Sequence, residues 1–271
     1  LLSRRQRQMC IRDSPMTYTG RWFETDADGV KWEYRGVSSG PIGHLHLDHL
    51  FTDGADRRIS EKVYLPIFNG SLNAEGDKLE SKSGVFPVHN KTRAQFRTLC
   101  KANGDNWYLD DVWAMHFLDT CFIVMFASSN AQAILGSGRT DFPEDGTKGL
   151  ALQARTGNYI TVAKDYGNRF AVGQGISIGS GLWSQSLAAD RRVTKIEDST
   201  EIDNAVCVYF DGDPVAITTT SVLWSSLQPT GATIEMASPN GRVEGKTNGM
   251  SAIRFLWIED WYGNLSLIHI S

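Results

Sequence analysis

The chain has 271 residues, 41% of them hydrophobic, 10% aromatic and 21% charged, with 27 Lys and Arg against 31 Asp and Glu and a formal net charge of −4. A chain of this length buries a sizeable core and suits one elaborated domain or two small ones. The acidic balance argues against a general nucleic-acid or anionic-membrane surface, and the longest apolar run, Cys121–Ala127, is far too short to span a bilayer.

Both ends read as translated sequencing adapter. Arg4–Ser14 ("RRQRQMCIRDS") and Leu265–Ser271 ("LSLIHIS") back-translate to complementary transposase-adapter strings, so residues 1–14 and 265–271 are set apart as artefact, with Met16 as a candidate start. Their removal takes four of the 27 basic and one of the 31 acidic residues, leaving 23 against 30 and a balance of −7. Cys10 goes with them. The remaining Cys100, Cys121 and Cys207 are widely spaced and form no Cys-x-x-Cys pair, which points to neither a zinc knuckle nor a disulfide framework.

Residues 15–62 form a loop-rich N-terminal region in which "ETDADGVKWEYRG" predicts a hairpin around Asp28-Gly29. Next comes "GHLHLDHL", Gly43–Leu50. Its His44-x-His46-x-Asp48-His49 spacing is the one metallo-β-lactamase-type hydrolases use to hold two metal ions and activate a bridging water. Such a site needs further ligands from later loops, and His89 and His116 are the only downstream histidines outside the adapter. The alternation of His44, His46 and Asp48 with Leu45 and Leu47 is equally that of a half-buried edge strand, which is the preferred reading. "KVYLPIFNG" then has the content of a strand, and "DKLESKSGVFPVHNK" is a polar connection.

Two helices follow. "NKTRAQFRTLCKANG" opens on Asn90 or Thr92 as N-cap, gathers Ala94, Phe96 and Leu99 near one side, and stops at Asn103-Gly104. "DNWYLDDVWAMHFLDTCFIVMFASS" places Asp110 and Asp111 in its first turn, where the helix dipole favours negative charge. Trp113, Met115, Phe117, Leu118, Cys121, Phe122, Val124 and Met125 cover so much of its circumference that it is expected in the core, with His116 a core histidine satisfied by Asp119 or Thr120. Beyond "SSNAQAILGSG" the chain turns β-like, with "NAVCVYFDGDPVAIT" predicting a hairpin at Asp211-Gly212 and "SAIRFLWIEDWYGN" closing the series. A strand, two helices, then many strands is α+β order, not the alternation of a parallel sheet.

The helical stretch resembles the two-helix segment of a large group of phage tail and virion proteins, through Thr92, Phe96, Arg97, Asn103, Gly104, Trp107, Asn130, Gln132, Gly136 and Gly138. The same group carries a C-terminal segment matched by Arg254, Phe255, Ile258, Glu259, Asp260, Tyr262, Gly263 and Asn264, and its lead-in resembles "HLH…FTDG…KVYLPIF". These proteins are similar to the formylglycine-generating-enzyme branch of the C-type-lectin fold, whose hallmark Gly-Asn-x-Trp-Glu-Trp is matched here only as far as Gly263-Asn264.

The resemblance implies an α+β, C-type-lectin-like domain over 63–264, with two helices packed on a mixed, mostly antiparallel sheet and a small β insertion at about 167–227. It implies a virion-associated binding domain of a phage tail or fibre, made in the host cytoplasm and engaging a bacterial cell-surface receptor or glycan. Trp257, Asp260, Trp261 and Tyr262 would lie at the binding face, and Arg254 and Glu259 would serve as a structural ion pair or hydrogen-bond network. Enzymatic members need redox-active cysteines late in the fold. Only Cys207 lies late here, within a strand-like run, so no catalysis is expected and no cofactor or metal is assigned. Partners would be the receptor and other tail proteins, with a homo-oligomer allowed, no nucleic acid and no membrane insertion. The competing functions are the di-metal hydrolase through the histidine octet and a purely structural virion protein.

Overall fold

A computed structural model describes residues 11–15, 17–52, 62–138, 145–243 and 252–262. Asp53 and Gly54 of the lead-in, Gly263 and Asn264 of the C-terminal motif, and the adapter-like residues 1–10 and 265–271 lie outside the described residues. The architecture is α+β, and every strand pair among the described residues is antiparallel. No described helix is long and apolar enough to cross a membrane. The chain divides into two compact units, Leu1–Ser81 with His89–Ile134, and Lys82–Val88 with Leu135–Ser271.

In the first unit, β1 (Ile11–Pro15) takes one edge of what becomes β5 (Lys62–Pro66). An extended segment fills a free strand edge whatever its origin. The expected hairpin is present as β2 (Tyr18–Thr25) and β3 (Lys31–Ser38), paired from Tyr18↔Ser38 to Thr25↔Lys31. Asp26 closes its turn. The Asp26 carboxylate accepts from the Asp28 and Val30 amides at 3.0 and 2.8 Å, and Gly29 takes the left-handed conformation at φ 82°.

β4 (His46–Leu47) pairs with the other edge of β2, giving the order β3-β2-β4. Gly20 is what lets the chain come this close, because a Cβ there would stand 2.5 Å from the His44 carbonyl oxygen and 2.8 Å from Leu45. A 3-10 turn, His49–Phe51, then drops Phe51 into the core, edge-on to Phe117 at 6.0 Å. β6 (Gly70–Leu72) and β7 (Leu79–Ser81) form a short hairpin.

α1 (Arg93–Lys101) starts at Thr92, one of the two expected caps. Thr92 and Gln95 form a reciprocal capping box, with bonds of 3.2 and 2.8 Å. α2 (Val112–Phe126) begins later than its sequence suggests. Asp111 is not in the first turn but is the N-cap itself, its carboxylate accepting from the Trp113 and Ala114 amides at 2.9 and 3.2 Å. The helix lies against β3 and buries Ala114, Phe117, Leu118, Thr120 and Phe122. Val112, Trp113, Val124 and Met125 are exposed, so the expectation of burial all round is corrected. His116 is corrected with them: it sits on the exposed side, and its Nδ1 lies 3.9 Å from the buried Asp48 carboxylate. Apolar composition alone does not say which side of a helix finds a partner. A short α3 (Ala131–Leu135) follows, its start tied by the Asn130 side chain accepting from the Ala133 amide at 3.0 Å.

The second unit holds β8 (Arg155–Gly157), β9 (Tyr159–Ala163), α4 (Lys164–Gly167), β10 (Gly175–Gly179), β11 (Ala188–Asp198), β12 (Ala205–Phe210), β13 (Val215–Ile217) and β14 (Val222–Ser225). Its main sheet runs β14-β10-β11-β12-β9. Four of those five strands come from 167–227. The unit's core is built on Ile160, Val162, Tyr166, Ile176, Ile178, Val208 and Leu223. Cys207 lies in β12, buried, with its Sγ 3.6 Å from the Thr161 hydroxyl.

The hairpin expected at Asp211-Gly212 does not form. β12 already has β11 on one edge and β9 on the other, so the outgoing β13 has no edge left to pair with and joins β8 instead. The turn hands the chain from one sheet to another. A separate small sheet, β15 (Gly241–Arg242), β16 (Ile253–Phe255) and β17 (Ile258–Glu259), ends the described chain.

Candidate functional site

β16 and β17 pair as Arg254↔Glu259 and Phe255↔Ile258, which leaves Leu256 and Trp257 as a two-residue connection. Both are left-handed, at φ 48° and 70°. Tight hairpin loops of this hand are normally made by Asn and Gly, because an L side chain is strained there. The strained turn is held from outside. The Leu256 amide donates to the Asn240 side-chain oxygen at 2.8 Å, and the Trp257 amide donates to the Pro239 carbonyl at 3.0 Å.

Beneath the turn lies a buried polar network. The Arg254 guanidinium donates to the Met236 carbonyl at 2.8 Å, to the Thr233 hydroxyl at 3.2 Å and to the Thr233 carbonyl. Opposite it, Glu259 accepts from the Gly231 amide at 2.6 Å, the Thr233 amide at 2.8 Å and the Thr233 hydroxyl at 2.7 Å. The Thr233 hydroxyl therefore joins the two charges, donating to one and accepting from the other. Burial draws the Arg254 pKa down, and the nearby Glu259 carboxylate opposes that shift. The Trp257 ring lies over this guanidinium, 5.1 Å from its carbon to the ring centroid.

The four expected binding residues fall into two kinds of place. Trp257 is half-buried and presented by the turn. Tyr262 is also half-buried; its hydroxyl donates to the Gly136 carbonyl at 2.8 Å, and burial pushes the phenol up to about 12. Asp260 and Trp261 are buried. The Asp260 carboxylate and amide both bond Ile253, at 3.1 and 2.9 Å, and the Trp261 ring lies 5.2 Å from Phe255 and 5.5 Å from Tyr262. They form the support for the hairpin, while Trp257 forms its tip. Thr233, Pro239 and Asn240 complete the site without having been singled out in the sequence. Their Ser/Thr/Asn/Pro character marks only a loop, and nothing local shows that it folds beneath a hairpin.

The histidine octet does not converge. The His44 ring stacks on Trp22 at 5.2 Å, His46 is exposed on its strand, and His49 lies 4.3 Å from Trp113. The Asp48 carboxylate is buried and occupied: it accepts from the Thr19 hydroxyl at 2.5 Å and from the Leu50 amide at 2.9 Å. Among the described residues no three His, Cys, Asp or Glu side chains gather as a metal-holding group. The spacing thus serves a strand followed by a capped turn.

No protein-family model matches this chain, and no curated protein or solved structure compared with it does either.

Proposed function

We propose that the chain is a virion-associated, lectin-like binding domain of a phage tail or fibre, which attaches to a bacterial cell-surface receptor such as a glycan and performs no catalysis. One observation carries the reading: a half-buried indole stands on a two-residue turn whose non-glycine residues are both left-handed, anchored on a buried Arg254–Thr233–Glu259 network. Such strain costs about 1–2 kcal/mol per residue and collects where a side chain must be held in place for contact with something else. The indole supplies flat apolar area at low entropic cost, which is what a receptor-binding tip needs.

The resemblance of the motifs from Thr92 to Gly138, and again from Arg254 onward, to those of phage tail proteins suggests the reading's biological setting. In that setting the domain is C-type-lectin-like and other tail proteins are its assembly partners, with a homo-oligomer allowed. The test is to titrate the labelled full chain onto a panel of bacterial cells. Saturable binding that Trp257→Ala weakens by about tenfold or more, with an unchanged melting temperature, is the expected result. Absence of saturable binding to any cell, or binding indifferent to Trp257, refutes it and returns the chain to a building block of the virion.

A further inference from the structure

The β2–β3 hairpin carries five aromatic residues, and the structure separates them by what covers their rings. Trp22 stacks on Tyr34 across the strands at 5.5 Å and 13° between planes, and on His44 at 5.2 Å. That row fills itself, each ring lying against the next. Tyr18 sits at the inner end of the ribbon and is half-buried. Phe23, on the opposite face, is flanked by the Lys31 ammonium at 4.5 Å and the Arg21 guanidinium at 5.0 Å from its ring centre.

Trp32 differs from all four. It is 53% exposed, and among the described residues no ring or cation lies against it. It is not loose, because its indole N–H donates to the Asp26 carboxylate at 2.7 Å, and the other oxygen of that carboxylate is held by the two turn amides. The Trp32 and turn hydrogen bonds hold the Asp26 pKa below the ordinary carboxylate range, so the anchor stays ionised at neutral pH. Directly across the strands is Glu24, Trp32's register partner. One Glu24 oxygen accepts from the Trp22 indole at 3.1 Å, and the second has no hydrogen-bond partner among the described residues.

We infer that Trp32 and Glu24 form a glycan-binding site of their own, in which a neutral pyranose lays its C–H face on the Trp32 indole and donates a hydroxyl to Glu24. The chemistry selects this ligand class. An exposed, immobilised indole offers apolar area without a large ordering cost. The free Glu24 oxygen accepts from a hydroxyl donor, and the adjacent carboxylates of Glu24 and Asp26 repel phosphates and anionic lipids. A quaternary ammonium would need several ring faces converging on it, and among the described residues no second ring stands against Trp32.

The inference extends the binding reading to a second place on the chain and stands or falls apart from Trp257. The full chain is applied to an array of neutral hexose and N-acetylhexosamine oligosaccharides, and the best binder is titrated by tryptophan fluorescence against the wild type and four variants. Trp32→Ala weakens binding by about tenfold or more, the range of an aromatic hot spot. Trp32→Phe retains binding to within about threefold, Glu24→Gln weakens it by a similar factor, and Trp257→Ala leaves it unchanged. Melting curves of Trp32→Ala that overlay the wild type keep the loss local. Binding to none of these oligosaccharides overturns the inference, as does binding that survives Trp32→Ala. Loss of cell binding in Trp257→Ala with no effect of Trp32→Ala on cells or glycans leaves the proposed function standing and removes this site.

Discussion

Replacing Glu259 by glutamine tests how the terminal hairpin is held. Glu259 is 2% exposed, and its two oxygens take three donors: the Gly231 amide, the Thr233 amide and the Thr233 hydroxyl. Glutamine keeps the shape but turns one oxygen into an NH2 group, which faces a donor with a donor. The cheaper orientation keeps the oxygen towards Thr233 and orphans the Gly231 N–H, a loss of about 1–3 kcal/mol. The buried Arg254 guanidinium also loses its opposing charge. The Thr233 hydroxyl bridges the two charges, so losing one of them brings the total to about 2–4 kcal/mol.

That is a large part of a domain's stability, on the order of 5–15 kcal/mol. Urea unfolding followed by tryptophan fluorescence measures it, with the buried Trp224 and Trp261 reporting from the same unit. Because the chain has two compact units, each transition is fitted separately. Asp165→Asn is the control. It breaks the exposed 2.9 Å pair with Lys148 in the same unit, where solvent screening leaves little stability to lose. A Glu259→Gln variant no less stable than this control would show that the network does not support the hairpin.

Two further outcomes follow from the same region and from the phenols. Exchanging Leu256-Trp257 for Asn-Gly suits the left-handed turn and raises stability by about 1 kcal/mol while cell binding is lost; a drop in melting temperature instead would mean that the indole is there for packing. Tyr262 and Tyr209 each have a phenol pushed up to about 12, Tyr262 by burial and Tyr209 first by its 2.6 Å hydrogen bond to Glu197 and then by burial. The unfolded chain releases these protons near the ordinary value of 10.0 and the folded chain holds them, so stability is intact below that pH and falls as pH rises from 10.0 to about 12. Ultraviolet titration of the native protein should show these late phenols, and Tyr262→Phe should remove one of them; a native titration in which every tyrosine ionises together near 10 contradicts the packing described.

Much of the local structure is written locally. The Asp26–Val30 turn, the Thr92–Gln95 capping box and the Asn130 cap each join residues a few positions apart, so their chemistry is visible in a short window of sequence. The strand character of "NAVCVYF" and the burial of Cys207 likewise follow from composition.

Tertiary structure decided which partners those pieces meet. Asp211-Gly212 looks like a hairpin until both edges of β12 are seen to be taken, by β11 and by β9. The long apolar helix looks buried all round until only one side finds β3. Four polar residues at a metal-binding spacing separate because Trp22, Trp113 and Thr19 each claim one of them from elsewhere in the chain, leaving His46 exposed. Glu259 and Arg254 become a supporting network only when a loop more than twenty residues upstream (Gly231 and Thr233) supplies its donors and acceptors. Propensity and capping act over a turn or two of chain, whereas the occupancy of a strand edge or the desolvation of a charge depends on segments distant in sequence, and that dependence separates the legible part of this protein from the rest.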